Sequence, residues 1–154
     1  MSDARGRPFR IMITAGGQQV DEPAVRLACR MARERAADEA AGPAQLYAVH
    51  VIEVTRALPL SAPVEPEVAH GEEILDAVEQ LAAEFDVEAE TELVQARDTG
   101  PAIVGEADEW GADVIVMGLP YKRRFGDFNL GRTVPYVLKH ASCRVILLRE
   151  KLQA

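Results

Sequence analysis

The stretch Asp113-Val114-Ile115-Val116-Met117 lies between Trp110-Gly111-Ala112 and Gly118. Its apolar residues follow one another without a polar face, and a short β-branched string of that kind reads as a strand covered on both sides. Strands buried on both faces belong to parallel sheets, whose crossover connections are helical, so the chain is α/β and this stretch is the centre of its sheet. A helix from about Pro101 to Trp110 leads into it through Gly111, and a Gly-containing, basic loop from Gly118 to Leu130 follows it. Gly131 to Ala141 reads as a short helix with Val134, Val137, Leu138 and Ala141 inward, and Val145 to Leu148 as a fifth strand.

The same alternation of short β-rich strings and 3.6-residue periodicity runs back to the N-terminus. Phe9 to Ala15 is the first strand, broken by Gly16-Gly17, and the next helix starts near Asp21 with Pro23 in its first turn. Val25, Ala28, Cys29 and Ala32 form its buried stripe. The second strand runs from Leu46 to Val54. Thr55 to Glu67 reads as a surface loop because of Pro59, Pro63 and Pro66. The following helix carries Ile74, Leu75, Val78, Leu81, Ala82 and Phe85 on one face and acidic residues opposite. Val87 to Ala96 alternates apolar residues with Glu88, Glu90 and Glu92, the pattern of an edge strand kept soluble by charge.

The chain has 154 residues, 48% apolar and 27% charged, which suits one folded domain spanning 1–154 and excludes the composition of a disordered protein. Its longest aliphatic strings fall far short of the roughly 18 residues that cross a bilayer, so no membrane insertion is expected. Met1 to Pro8 is polar and lacks the apolar stretch of a secretory signal, and Cys29 and Cys143 have no zinc or redox spacing; a cytoplasmic location is expected. With 17 Lys and Arg against 25 Asp and Glu, the net charge of −8 is a poor match for a phosphate backbone, and nucleic acid is not an expected partner.

Few patterns carry chemistry. There is no Walker loop, no Gly-x-Gly-x-x-Gly after the first strand and no Ser/His/Asp nucleophile motif. His50, His70 and His140 are not spaced as metal ligands and read as core or capping residues. Cys29 sits on an apolar stripe, and Cys143 beside Arg144 has no base to activate it. The chain is therefore not expected to be an enzyme. The loop from Gly118 to Thr133 is different: a glycine-rich turn between a strand's carboxyl end and a helix start offers backbone N–H groups to an anion. Arg132 adds a guanidinium suited to bidentate contact with phosphate or carboxylate, and Lys122-Arg123-Arg124 is the only run of three basic residues. The same three cations also fit a solvated loop paired with surface carboxylates.

Trp110 to Gly118, together with Gly131-Arg132-Thr133-Val134-Pro135-Tyr136-Val137-Leu138-Lys139-His140-Ala141-Ser142-Cys143-Arg144-Val145, resembles the universal stress protein family, over Arg10 to Arg149. The resemblance implies a single open, Rossmann-like sheet of five parallel strands in order 3-2-1-4-5 with helices on both faces, usually dimeric and often binding ATP or AMP. The family's nucleotide signature is Gly, two residues, Gly, nine residues, then Gly followed by Ser or Thr. Gly118 and Gly131 stand at its ends, Tyr121 replaces the inner glycine, and Arg132 replaces the Ser or Thr, with Thr133 one position late. Ala15-Gly16-Gly17 stands where ATP-binding members carry Asp followed by Gly and Ser.

The resemblance implies a cytoplasmic stress-response module that senses an adenine nucleotide (ATP, ADP or AMP, with no metal required) or another anion through the loop after the fourth strand. The candidate ligand-binding residues are Ala15, Gly16, Gly17, Val51, Met117, Gly118, Arg124, Gly131, Arg132 and Thr133. The alternative is a member without nucleotide binding that acts as a dimeric regulatory or interaction protein. Phe125 to Leu138 looks like the stress-protein modules attached to some amino-acid permeases, which makes a transporter a candidate partner. A slow nucleotidase is the enzymatic alternative. A homodimer is expected through Val145, Ile146, Leu147 and Leu148, because that apolar strand lies at a sheet edge with no charge or proline to protect it.

Overall fold

A computed structural model describes residues 7–38, 40–121, 123, 124 and 126–152, with the backbone alone at 123, 124 and 127. Its central strand is β4 (Val114–Leu119), and Val114, Ile115, Val116 and Met117 are all buried, as the unbroken apolar run requires. On one side β4 pairs in parallel with β1 (Phe9–Thr14), and on the other with β7 (Arg144–Arg149). β1 pairs with β2 (Ala44–Glu53), and β2 with β3 (Ala89–Ala96). The order is β3-β2-β1-β4-β7, the 3-2-1-4-5 arrangement when only the strands of this sheet are counted.

Alternation along each strand divides the core into two layers. Ile11, Ile13, Leu46, Ala48, Val114 and Val116 meet α1 (Asp21–Ala37) and α2 (Glu65–Glu84). Met12, Val49, Ile115 and Met117 face the other way, against α3 (Thr99–Trp110) and α4 (Thr133–His140). Asp113 sets the register between β1 and β4. Its Oδ2 accepts the Arg10 N–H at 2.8 Å, and its own N–H donates to the Arg10 carbonyl at 2.8 Å.

Several boundaries differ from the sequence reading, each for a local reason. Pro66 does not prolong the irregular stretch; it sits in the first turn of α2, which starts at Glu65, where a missing N–H leaves no bond unmade. What remains of the stretch is tied to the sheet. The Arg97 guanidinium reaches the carbonyls of Val54, Thr55 and Leu58, and the Gln95 amide donates to Leu60 at 2.9 Å and Ala62 at 3.0 Å. The span read as a loop from Gly118 contains the end of β4 and a small antiparallel hairpin, β5 (Arg123–Arg124) and β6 (Asp127–Phe128), turning at Gly126 with φ of 84°.

The last helix starts at Thr133 rather than Gly131, because Gly131 has φ of 71° and cannot be helical. Leu138 was expected inward but is 52% exposed, whereas Val134 and Val137 are buried. One residue step of about 100° past Val137 carries its side chain off the narrow stripe that meets the sheet.

Candidate functional site

The chain leaves β1 for β2 on one side, then returns from β3 through α3 to β4 on the other, so the strand order reverses between β1 and β4. A crevice opens at the carboxyl ends of strands where this happens. Here it has a volume of about 390 Å³. The end of β1 supplies Thr14, Ala15 and Gly16, the end of β4 Met117, Gly118 and Leu119, and β2 Val49, His50 and Val51. Thr99 and Ile103 of α3 and Gly131, Thr133 and Val134 at the start of α4 complete the wall. Buried Val49, Ile103, Met117, Leu119 and Val134 make much of that wall apolar.

Of the residues singled out from sequence, Ala15, Gly16, Val51, Met117, Gly118, Gly131 and Thr133 meet in this one cleft. Gly17 does not; it lines a neighbouring groove between α1 and α2. Arg132 lines a small notch with Glu53, Asp98 and Tyr136, where its side chain is 82% exposed and its Nη2 lies 3.8 Å from Glu53 Oε1. The notch shares Thr99 and Thr133 with the cleft. Lys122 lies outside the described residues, and so do the side chains of Arg123 and Arg124.

Asp21, His50, Thr99 and Asn129 also line the cleft and were not singled out as ligand-binding from sequence. Asp21 opens α1 with its carboxylate turned back on the glycine turn: Oδ2 accepts the Gly17 N–H at 2.7 Å, and Oδ1 accepts the Gly16 N–H at 3.3 Å. These two amides are therefore taken, and the Gly16-Gly17 turn has no free N–H pair for an anion. Burial pushes the Asp21 carboxyl above its usual value, against the lowering effect of these bonds and of nearby His50. His50 Nδ1 lies 2.7 Å from the Ala15 carbonyl, which only accepts, so the ring carries its proton on Nδ1. A signal for Asp21 was present: an acidic residue opening a helix directly after a glycine turn.

At the other end of the cleft, α4 has no side-chain cap, and Asn129 Oδ1 accepts the Gly131 N–H at 2.9 Å. Gly118 lets the two loops meet, since a Cβ there would lie 2.8 Å from Val20 Cγ1 and 3.1 Å from the Val20 carbonyl. Tyr121, which replaces the motif's inner glycine, does not line the cleft. Its ring stacks on Phe128 at 4.9 Å with the Arg149 guanidinium 5.2 Å from its centre, and Pro120 lines the cleft instead. Cys29 is fully buried and burial pushes its thiol up to about 11; burial raises the Cys143 thiol as well, so neither favours a thiolate. Among the described residues no group of three or more His, Cys, Asp or Glu is placed to hold a metal ion, and no helix is long and apolar enough to cross a membrane.

The fold and its crevice define a class, the doubly wound α/β proteins whose ligands bind beyond the strand ends where the order reverses. Residues 10–149 match the Universal stress protein family, and the chain belongs to that family. It is 29% identical over 147 residues to a universal stress protein of Methanocaldococcus jannaschii, covering 92% of this chain and 82% of that one. Its fold is similar to that of the universal stress protein of Archaeoglobus fulgidus in complex with dAMP, with a TM-score of 0.67, 22% identity and coverage of 92% of this chain and 97% of that one. An Arabidopsis thaliana family protein with AMP bound gives a TM-score of 0.67 at 16% identity, covering 94% and 93%.

Proposed function

We propose that this chain is a binding module for an adenine nucleotide, held in the cleft between the ends of β1 and β4. One observation carries the reading: seven of the sequence-derived candidates converge on a cleft that joins an apolar wall to an uncapped helix start. The purine packs against Val49, Val51, Ile103 and Met117, and the phosphate lies toward Thr133 at the start of α4, where the helix dipole favours negative charge; the Gly131 N–H is already held by Asn129. Arg132, at the adjoining notch, supplies a solvated cation. The dAMP and AMP complexes of proteins with this fold support the assignment. The reading is of a cytoplasmic sensor made of one domain, with no catalytic role. Calorimetric titration of the purified protein with AMP, ADP and ATP tests it; saturable binding of at least one is expected, and no binding of any at millimolar concentration overturns it.

A second reading rests on a different observation. Strand β7 is a sheet edge, and its Val145, Ile146, Leu147 and Leu148 are only half-buried. Two copies pairing β7 with β7 would bury this string about a two-fold axis, and the dimer would serve as a regulatory protein for a further partner such as a transporter. Sedimentation of the purified protein distinguishes dimer from monomer. A dimer that binds no nucleotide would favour the regulatory role alone.

A further inference from the structure

A bound purine and phosphate leave the Asp21 carboxylate unused, although it lines the cleft. Its orientation is locked, because each oxygen accepts a backbone N–H of the glycine turn. Beyond these bonds and a weaker interaction with the Gln18 N–H, the partly buried carboxylate keeps acceptor capacity, so a ligand group placed against it must donate hydrogen bonds. A phosphate is excluded there, both by charge and because the Gly16 and Gly17 amides that would have bound it are already occupied. His50 is already committed through Nδ1 to the Ala15 carbonyl, and its Nε2 stands beside Gly71 of α2.

The cleft thus has opposite chemistry at its two ends: an acceptor at the start of α1 and donors at the start of α4. We infer that the Asp21 carboxylate receives the vicinal ribose hydroxyls of the nucleotide, so that the cleft selects ribonucleotides over deoxyribonucleotides. The inference rests on adenine-nucleotide binding in this cleft. Two hydroxyls a carbon–carbon bond apart match the spacing of two carboxylate oxygens, and hydrogen bonds to an ionised acceptor are the strong kind. It does not follow from the family's motif, in which the carboxylate belongs at the position held here by Ala15.

The test is calorimetric, with AMP, 2′-deoxy-AMP and 3′-deoxy-AMP titrated against the wild-type protein, Asp21→Asn and Asp21→Ser. Serine keeps an acceptor for the glycine turn while removing the charge, so it serves if asparagine opens the turn; melting curves report folding. We expect the wild type to bind each deoxy analogue about tenfold more weakly than AMP, the loss of one hydrogen bond to a charged group. In the folded variant the gap should close to within about twofold. Wild type that binds all three equally, or a folded variant that keeps the gap, overturns the inference and leaves Asp21 as a turn cap. Wild type that binds none of the three overturns nucleotide binding itself and this inference with it.

Discussion

The Glu53 carboxylate accepts both the backbone N–H of Thr99, at 3.0 Å, and its hydroxyl, at 2.8 Å. Helix α3 is therefore capped from the end of strand β2, while its own preceding residue, Asp98, makes no side-chain cap. A negative group at a helix start satisfies an orphan donor and complements the dipole. We expect Glu53→Ala to lower stability by about 1 kcal/mol in denaturant unfolding. Asp98→Ala should cost well under half of that, and equal effects would show that the cap is shared.

Two glycines on helices make a contrasting pair. A Cβ on Gly71 of α2 would lie 2.5 Å from Leu93 Cδ2 and 2.8 Å from His50 Cδ2, whereas on Gly105 of α3 it would meet nothing within 4 Å. Replacing Gly by Ala within a helix otherwise gains up to about 1 kcal/mol. Gly105→Ala should raise the melting temperature, while Gly71→Ala should lose about 1–3 kcal/mol through overpacking. Melting curves on the two variants settle both signs.

Nucleotide selection among AMP, ADP and ATP should be weak. In the proposed binding mode the α4 start contacts one phosphate, and Arg132 in place of a hydroxyl residue leaves no fixed donor for the next. Affinities within about threefold of one another are expected, a difference under about 1 kcal/mol. Magnesium should not be required. Charge reversal in the double variant Arg124→Glu, Arg132→Glu should weaken binding at low salt and less at high salt, since an exposed guanidinium is screened. Calorimetry at two ionic strengths checks this, and unchanged affinity would place the phosphate elsewhere.

Dimerisation through β7 is best probed at Leu148. Ile146 also packs against the α1–α2 core layer, so its replacement would disturb folding as well as association. We expect Leu148→Lys to sediment as a monomer with a near-normal melting curve. A variant still dimeric at the same affinity would move the interface to another surface.

Stability should fall in alkaline solution through Cys29. Its thiol is raised by burial from 9.0 to about 11, so between these values the unfolded chain releases a proton that the native protein keeps. The contribution is fully present below pH 9.0 and is lost as pH rises toward about 11. Cys29→Ala should flatten that part of the stability curve, and the native thiol should resist alkylation at neutral pH.

The central strand was legible because it is a local pattern, whereas the strand order and the candidate cleft residues came from the resemblance to the universal stress protein family. Val114 to Met117 has no polar face and can only be covered on both sides; Gly118, Gly131 and Thr133 follow at a spacing that a strand-to-helix connection preserves. Leu138 was misread because a helical repeat shows which residues share a face, not how wide a stripe the sheet will cover. The Glu53 cap on Thr99 was out of reach for another reason. A carboxylate's role depends on which amides the fold brings to it. Asp21 reaches the Gly16 and Gly17 amides within the same local segment, whereas Thr99 lies 46 positions from the residue that caps its helix. Short-range periodicity placed the elements, whereas the Glu53 cap on Thr99 arose only when β2 and β3 were paired, with Glu53 opposite Ala96.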